Sequence, residues 1–207
     1  MRRSEPLRAS LSLRSLAYVA GRKECMKSES IFLCYRRADT EDVSGRMYDR
    51  LTRKFGRKAV FKDVDNIPLG RDFREHIDKR IRSCKVVIVV IGAKWLQVTD
   101  ARGARRLDAD LDHVRTEIEA ALTREIPIIP LLVGGATHPQ PDDLPATIRE
   151  LAYRAGTSVR SDPHFNDDMH QLINHIKLVA KSKGWLVFWI ILVTVILFVL
   201  YNARFIR

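Results

Sequence analysis

The residues best suited to chemistry are carboxylates and guanidiniums that sit beside apolar runs. In "RLDADLDHVRTEIEAAL", Arg106 to Leu122, Glu117 and Glu119 stand two positions apart, on opposite shoulders of any helix. At helical spacing Leu111, Val114, Ile118, Ala121 and Leu122 form one apolar stripe between those shoulders. Glu119 has Arg115 four residues earlier, an ordinary ion-pair neighbour. Glu117 has His113 and Val114 one turn before it and Ala120 and Ala121 one turn after, with no cation at that spacing. Such a carboxylate can face a ligand, or it can be one more solvated charge. The second cluster is "YRRAD", residues 35–39, directly after an apolar run. Two guanidinium forks, Arg36 and Arg37, could hold a phosphate, or they could be plain surface charges. Tyr35 could stack on a nucleobase or close the core. Trp95, in "IGAKWL" (91–96), could wall a pocket or belong to the core.

The elements that must position these groups follow from periodicity. "SIFLCY" (30–35), "KAVFKD" (58–63), "KVVIVVIG" (85–92), "IPIIPLLVG" (126–134) and "TSVR" (157–160) read as five strands. The third is apolar throughout, as expected of a central strand covered on both faces. Helical patterns fill the intervals: 39–56, with Asp39 or Thr40 as N-cap and Gly56 past its end; 70–84; 106–122; 144–156; and 165–181. Strands alternating with crossover helices predict an α/β fold, a parallel sheet with both faces covered. With the flavodoxin-like order 2-1-3-4-5, the strand order reverses between strands one and three, where a ligand is expected. That point receives "YRRAD" and "IGAKWL". Neither a phosphate-loop motif nor GxGxxG is present. A receiver domain needs acidic residues after strand one, where this chain has Arg36 and Arg37.

The formal net charge is +11 over 207 residues, but its location matters more than its size. Residues 1–30 hold seven Lys/Arg against three Glu, and residues 177–207 hold five Lys/Arg and no acid. The globular part is nearly balanced, so no nucleic acid is expected as a partner. Three cysteines, Cys25, Cys34 and Cys84, give neither a disulfide framework nor a zinc spacing. Cys34 and Cys84 read as small core residues. No metal is expected.

The two ends differ in character. "WLVFWIILVTVILFVLY", Trp185 to Tyr201, is apolar on every face, with aromatic residues at both ends, as in a membrane span. Lys177, Lys181 and Lys183 precede it, and Arg204 and Arg207 follow. That bias favours a single-pass C-terminal tail anchor in the lipid bilayer, with the globular part in the cytoplasm. The N-terminal stretch is rich in Arg and Ser. It reads as a disordered extension, with Met26 as an alternative start.

Five segments in order, "IFLCYRRAD", "VFKDVDNIPLGRDFREHI", "CKVVIVVIGAKWL", "RRLDADLDHVRTEIEAAL" and "IPIIPLLVGGA", resemble a bacterial TIR (Toll/interleukin-1 receptor) domain. The resemblance covers a TIR domain (29–176); charge and hydropathy set off a basic extension before it (1–28), and a basic linker (177–184) and a transmembrane helix (185–203) after it. It implies a flavodoxin-like three-layer sandwich. It implies that Asp63 to Gly70 form the loop that gates the pocket and joins TIR–TIR contacts, with Asp63 and Gly70 among the substrate-binding positions. In catalytic members it implies cleavage of NAD at the nicotinamide–ribose bond by one glutamate, here Glu117, with Tyr35, Arg36 and Arg37 matching the "YRR" beside the pocket; Trp95 and His113 are further candidates for substrate contact. His113 stands where some relatives have an aromatic residue, and Asn66 where some have lysine. NAD is then a substrate, with no cofactor. Other TIR domains are the expected protein partners, and the alternative is a non-catalytic adaptor acting through TIR–TIR contacts.

Overall fold

The computed structural model describes residues 31–62 and 73–179. The N-terminal extension, the loop from Asp63 to Gly70, and the 177–184 linker beyond Val179 all lie outside the described residues, as does the apolar stretch 185–203. No helix among the described residues is long and apolar enough to cross a membrane.

Five strands form one parallel sheet: β1 (Ile31–Cys34), β2 (Val60–Lys62), β3 (Val86–Ile91), β4 (Ile128–Val133) and β5 (Thr157–Val159), in the order β2-β1-β3-β4-β5. The register sets Ile31 beside both Val60 and Val86, and Cys34 beside Val89. Every residue of β3 is buried, as its unbroken run of Val and Ile requires. The helices are α1 (Arg37–Phe55), α2 (Phe73–Ser83), α3 (His113–Thr123) and α4 (165–179).

Because a strand turns successive side chains to opposite faces, the sheet divides the core in two. Ile31, Leu33 and Tyr35 pack with Met47 and Leu51 of α1 and with Met169, Leu172 and Ile176 of α4. Phe32 and Cys34 pack with Ile77 and Ile81 of α2 and with Val114 and Ile118 of α3. The result is the expected three-layer sandwich.

Three local readings need correction. The segment 106–122 is not one helix: Arg106–Asp108 is a turn of 3-10 helix, and α3 begins only at His113. Asp112 stops the helix from extending backwards, because its extended backbone and its carboxylate cap the Arg115 N–H at 3.0 Å. Leu111 therefore lies before the helix and is 65% exposed, off the apolar stripe that Val114, Ile118 and Ala121 do form. The pattern over 144–156 contains a run of 3-10 helix, Ala146–Tyr153, rather than an α-helix.

In α1 the expected Gly56 stop holds, with φ at 94° and its N–H on the Thr52 carbonyl. The backbone breaks at Thr40, φ −137°, where the sequence placed the helix start. Asp39, however, does not cap its own helix. Its two carboxylate oxygens accept the backbone N–H groups of Gly92 and Lys94, each at 3.0 Å. The start of α1 is thus tied to the turn after β3.

Gly92 leaves no room for a side chain in that tie, since a Cβ there would run into Asp39 and Thr40. Gly92→Ala should cost about 1–3 kcal/mol as an overpacked contact. Urea denaturation of the two proteins measures it, and unchanged stability would show that the Asp39 contact yields freely.

Candidate functional site

Glu117 lies in the second turn of α3 and is 4% exposed. Its neighbour across the layer is Cys34, the last residue of β1. Burial pushes the Cys34 thiol well above its usual value, and the Glu117 carboxylate adds to that both by charge and as a hydrogen-bond partner. Cys34 Sγ also lies 4.0 Å from the Val114 carbonyl in the first turn of α3. The end of β1 therefore rests directly against the helix that carries Glu117.

One residue pair fastens the two elements. Arg36 Nη1 and Nη2 donate to Asp112 Oδ2 and Oδ1, both at 2.9 Å, with the two side chains 2% and 1% exposed. This is the planar fork-to-carboxylate geometry that arginine favours. Arg106 Nε stands 3.6 Å from the same carboxylate. Asp112 thus caps α3 and binds Arg36 at once. Sequence reading missed it; the available signal was an Asp immediately before the periodic residues of a helix.

Backbone alternation continues past β1 and separates the "YRR" cluster. Tyr35 is buried in the α1/α4 core, on the face of the sheet away from Glu117. Arg36 turns to the α3 side, but both terminal nitrogens of its fork are engaged by Asp112. Arg37 is exposed at the start of α1. His113, the first residue of α3, is exposed as well. Trp95 is 1% exposed and packs with Leu107, Val114 and Ile118, so it is a core residue on the Glu117 side of the sheet. Its Nε1 has no hydrogen-bond partner among the described residues. The structure thus brings Cys34, Arg36, Trp95 and Glu117 to one side of the sheet, and leaves Tyr35 on the other.

Glu119 has the ordinary setting expected of it. Arg115 Nε meets Glu119 Oε1 at 2.7 Å, and Thr147 Oγ1 donates to the same oxygen. This shoulder of α3 opens on a cleft of about 750 Å³ lined by Asp78, Arg115, Glu119, Arg124 and Thr147 among others. A second hollow, about 430 Å³, lies past β3, β4 and β5 and includes Asp39, Arg46, Lys94 and Arg160. Glu117 lines neither, so volume alone does not locate the chemistry. Among the described residues no group of three or more His, Cys, Asp or Glu is placed to hold a metal ion.

A five-stranded parallel sheet with α3 seated on the end of its first strand defines the class, and comparison with known proteins gives the family. The chain matches the TIR domain family over residues 31–173 and belongs to it. Its fold is similar to the TIR domains of the activated Roq1 resistosome directly recognizing the pathogen effector XopQ. That match has a TM-score of 0.50 and 14% identity, and covers 71% of this chain and 98% of the other. A metazoan TIR-STING receptor from C. gigas, in complex with 2',3'-cGAMP, aligns at TM-score 0.47 and 18% identity over 76% of this chain and 41% of that one. A search of curated proteins found no match.

Two measurements follow from this geometry. Removing the carboxylate alone, as in Asp112→Ala, leaves the Arg36 charge buried and unpaired and should cost about 3–5 kcal/mol in chemical denaturation. A loss below about 1 kcal/mol would mean that Arg36 swings to solvent. For Cys34, a folded-state pKa above the unfolded value gives stability that is present below the unfolded pKa and lost as pH rises past it, about 8.5. Wild type should therefore lose stability above that pH relative to Cys34→Ala, and parallel pH profiles would contradict it.

Proposed function

We propose that this chain is a membrane-tethered TIR-domain signalling protein that cleaves NAD at the nicotinamide–ribose bond, with Glu117 as the catalytic carboxylate. The observation that carries the reading is the placement of Glu117: in the second turn of α3, against the end of β1, and away from the Arg115 partner that occupies Glu119. The bond to be broken needs little help from the protein. Nicotinamide in NAD is already a cationic leaving group, so no acid has to protonate it. Its departure leaves positive charge on the ribose, as in glycoside hydrolysis. A carboxylate in a water-poor setting stabilises that charge more than it would in bulk water. Water then adds to the ribose carbon and releases a proton, giving ADP-ribose and nicotinamide. Arg37 and His113 are exposed at the starts of α1 and α3, where each can contribute to substrate contact.

The apolar stretch 185–203 follows α4 in sequence and supplies the tether. Confinement to a membrane plane raises the effective concentration of domains that must pair. A second reading, a non-catalytic adaptor, is favoured by the same burial: a carboxylate 4% exposed beside a thiol is also a satisfied core group.

The full chain, clustered on liposomes and supplied with NAD, should release nicotinamide. Glu117→Gln should lower the rate by about 100-fold or more, the scale of a lost transition-state contact. Glu119→Gln should leave it within about threefold, as for a surface ion pair. No release from clustered wild type would favour the adaptor. Loss in Glu119→Gln alone would assign the other carboxylate.

A further inference from the structure

We propose that the buried Arg36–Asp112 pair is a positioning device for Glu117: it fixes where α3 begins and holds its first two turns against the end of β1. The inference rests on the NAD reading for its kinetic test, and on geometry alone for its structural one.

Asp112 makes one carboxylate serve two elements. Oδ1 accepts both Arg36 Nη2 at 2.9 Å and the Arg115 backbone N–H at 3.0 Å, while Oδ2 accepts Arg36 Nη1 at 2.9 Å. The Asp112 carbonyl takes the Thr116 N–H and hydroxyl, each at 2.9 Å, which closes the first helical turn. Glu117 is the next residue. On the strand side, Arg36 is two residues past Cys34 and turned to the same face, and Cys34 touches the Val114 carbonyl and Glu117. Strand and helix are joined at two levels, by the ion pair at the cap and by the thiol one turn further on.

Arg36 is in this arrangement a positioning residue rather than a phosphate ligand, because both nitrogens of its fork are committed. A fork bound at two points fixes orientation as well as distance. A displacement of about 1 Å in a group that acts on a reacting centre can cost about 100-fold in rate.

The test uses the full chain in liposomes. Arg36→Met combined with Asp112→Asn removes both charges together, so neither is left alone in the core, and Asn keeps an acceptor for the helix cap. This double variant should fold. Its kcat for nicotinamide release should fall about 10- to 100-fold with KM for NAD within about threefold. Asp112→Asn alone should lower kcat in the same direction, although an acidic residue cannot be a phosphate ligand. The structural readout is alkylation of Cys34, followed by mass spectrometry of its peptide. Cys34 should react about 10-fold faster in the double variant than in Leu172→Ala, which loosens the opposite core without touching α3.

A folded double variant with wild-type kcat, or with Cys34 as protected as in Leu172→Ala, overturns the inference. So does a rise in KM for Arg36→Met with no change of kcat in Asp112→Asn, which would return Arg36 to the substrate. If wild type releases no nicotinamide, the NAD reading fails, and Cys34 protection still decides whether the pair seats α3.

Discussion

Everything near Glu117 depends on the alternation of side chains along β1. The strand lies between β2 and β3 with helices over both faces, so each residue is committed to one layer or the other. Leu33 and Tyr35 belong to the α1/α4 layer. Cys34 and Arg36 belong to the α2/α3 layer. A slip of one residue would exchange these sets, placing a tyrosine beside Glu117 and a guanidinium among Met47, Leu51 and Phe55. Ile31–Cys34 is buried on both faces and does not itself choose between the registers, so the residues just past it disfavour the slip, since it would take Arg36 away from Asp112.

This constraint explains why two adjacent arginines have different work. Arg36 still follows the strand direction and enters the core, where a guanidinium needs a counter-charge; both terminal nitrogens have one, while Nε has no hydrogen-bond partner among the described residues. Asp112 supplies that pairing and is itself kept in place by helix-capping bonds, so neither charge is buried alone. Arg37 begins α1 and points to solvent. The other junction of the same region is built differently: Asp39 reaches across to two backbone N–H groups after β3, using a carboxylate where the α3 side uses an ion pair. Both strand ends at the reversal of strand order are thereby held by side chains from neighbouring elements.

The layers and the buried character of β3 were legible in the sequence, because apolar runs and a period of 3.6 are local properties of hydrophobic placement; the sheet order came from the flavodoxin-like fold that the TIR resemblance implies. The Arg115–Glu119 pair was legible for the same reason, as it lies within one helical turn. What was not legible depends on contacts between distant segments. Asp39 looked like the cap of its own helix, and only the fold brings Gly92 and Lys94 to it. Arg36 looked free for a phosphate until α3 delivered Asp112, 76 positions later. Leu111 fitted the apolar stripe on paper, and the competing cap at Asp112 ended the helix before reaching it. Among the substrate-binding positions, Asp63 and Gly70 lie outside the described residues, so the sequence remains the whole account of them.

The two sides of α3 are fastened by bonds of different character. Its outer shoulder is held by Arg115, which reaches the Asp108 carbonyl at 2.9 Å, exposed Asp110 at 3.2 Å, Glu119 and Thr147. Its inner start is held by a pair that solvent does not reach. Mobile ions screen charges in proportion to their access, so salt weakens the first set and spares the second. Rising ionic strength therefore acts on this helix as on a door with one hinge buried: the cleft beside Glu119 slackens while the edge bearing Glu117 keeps its seat.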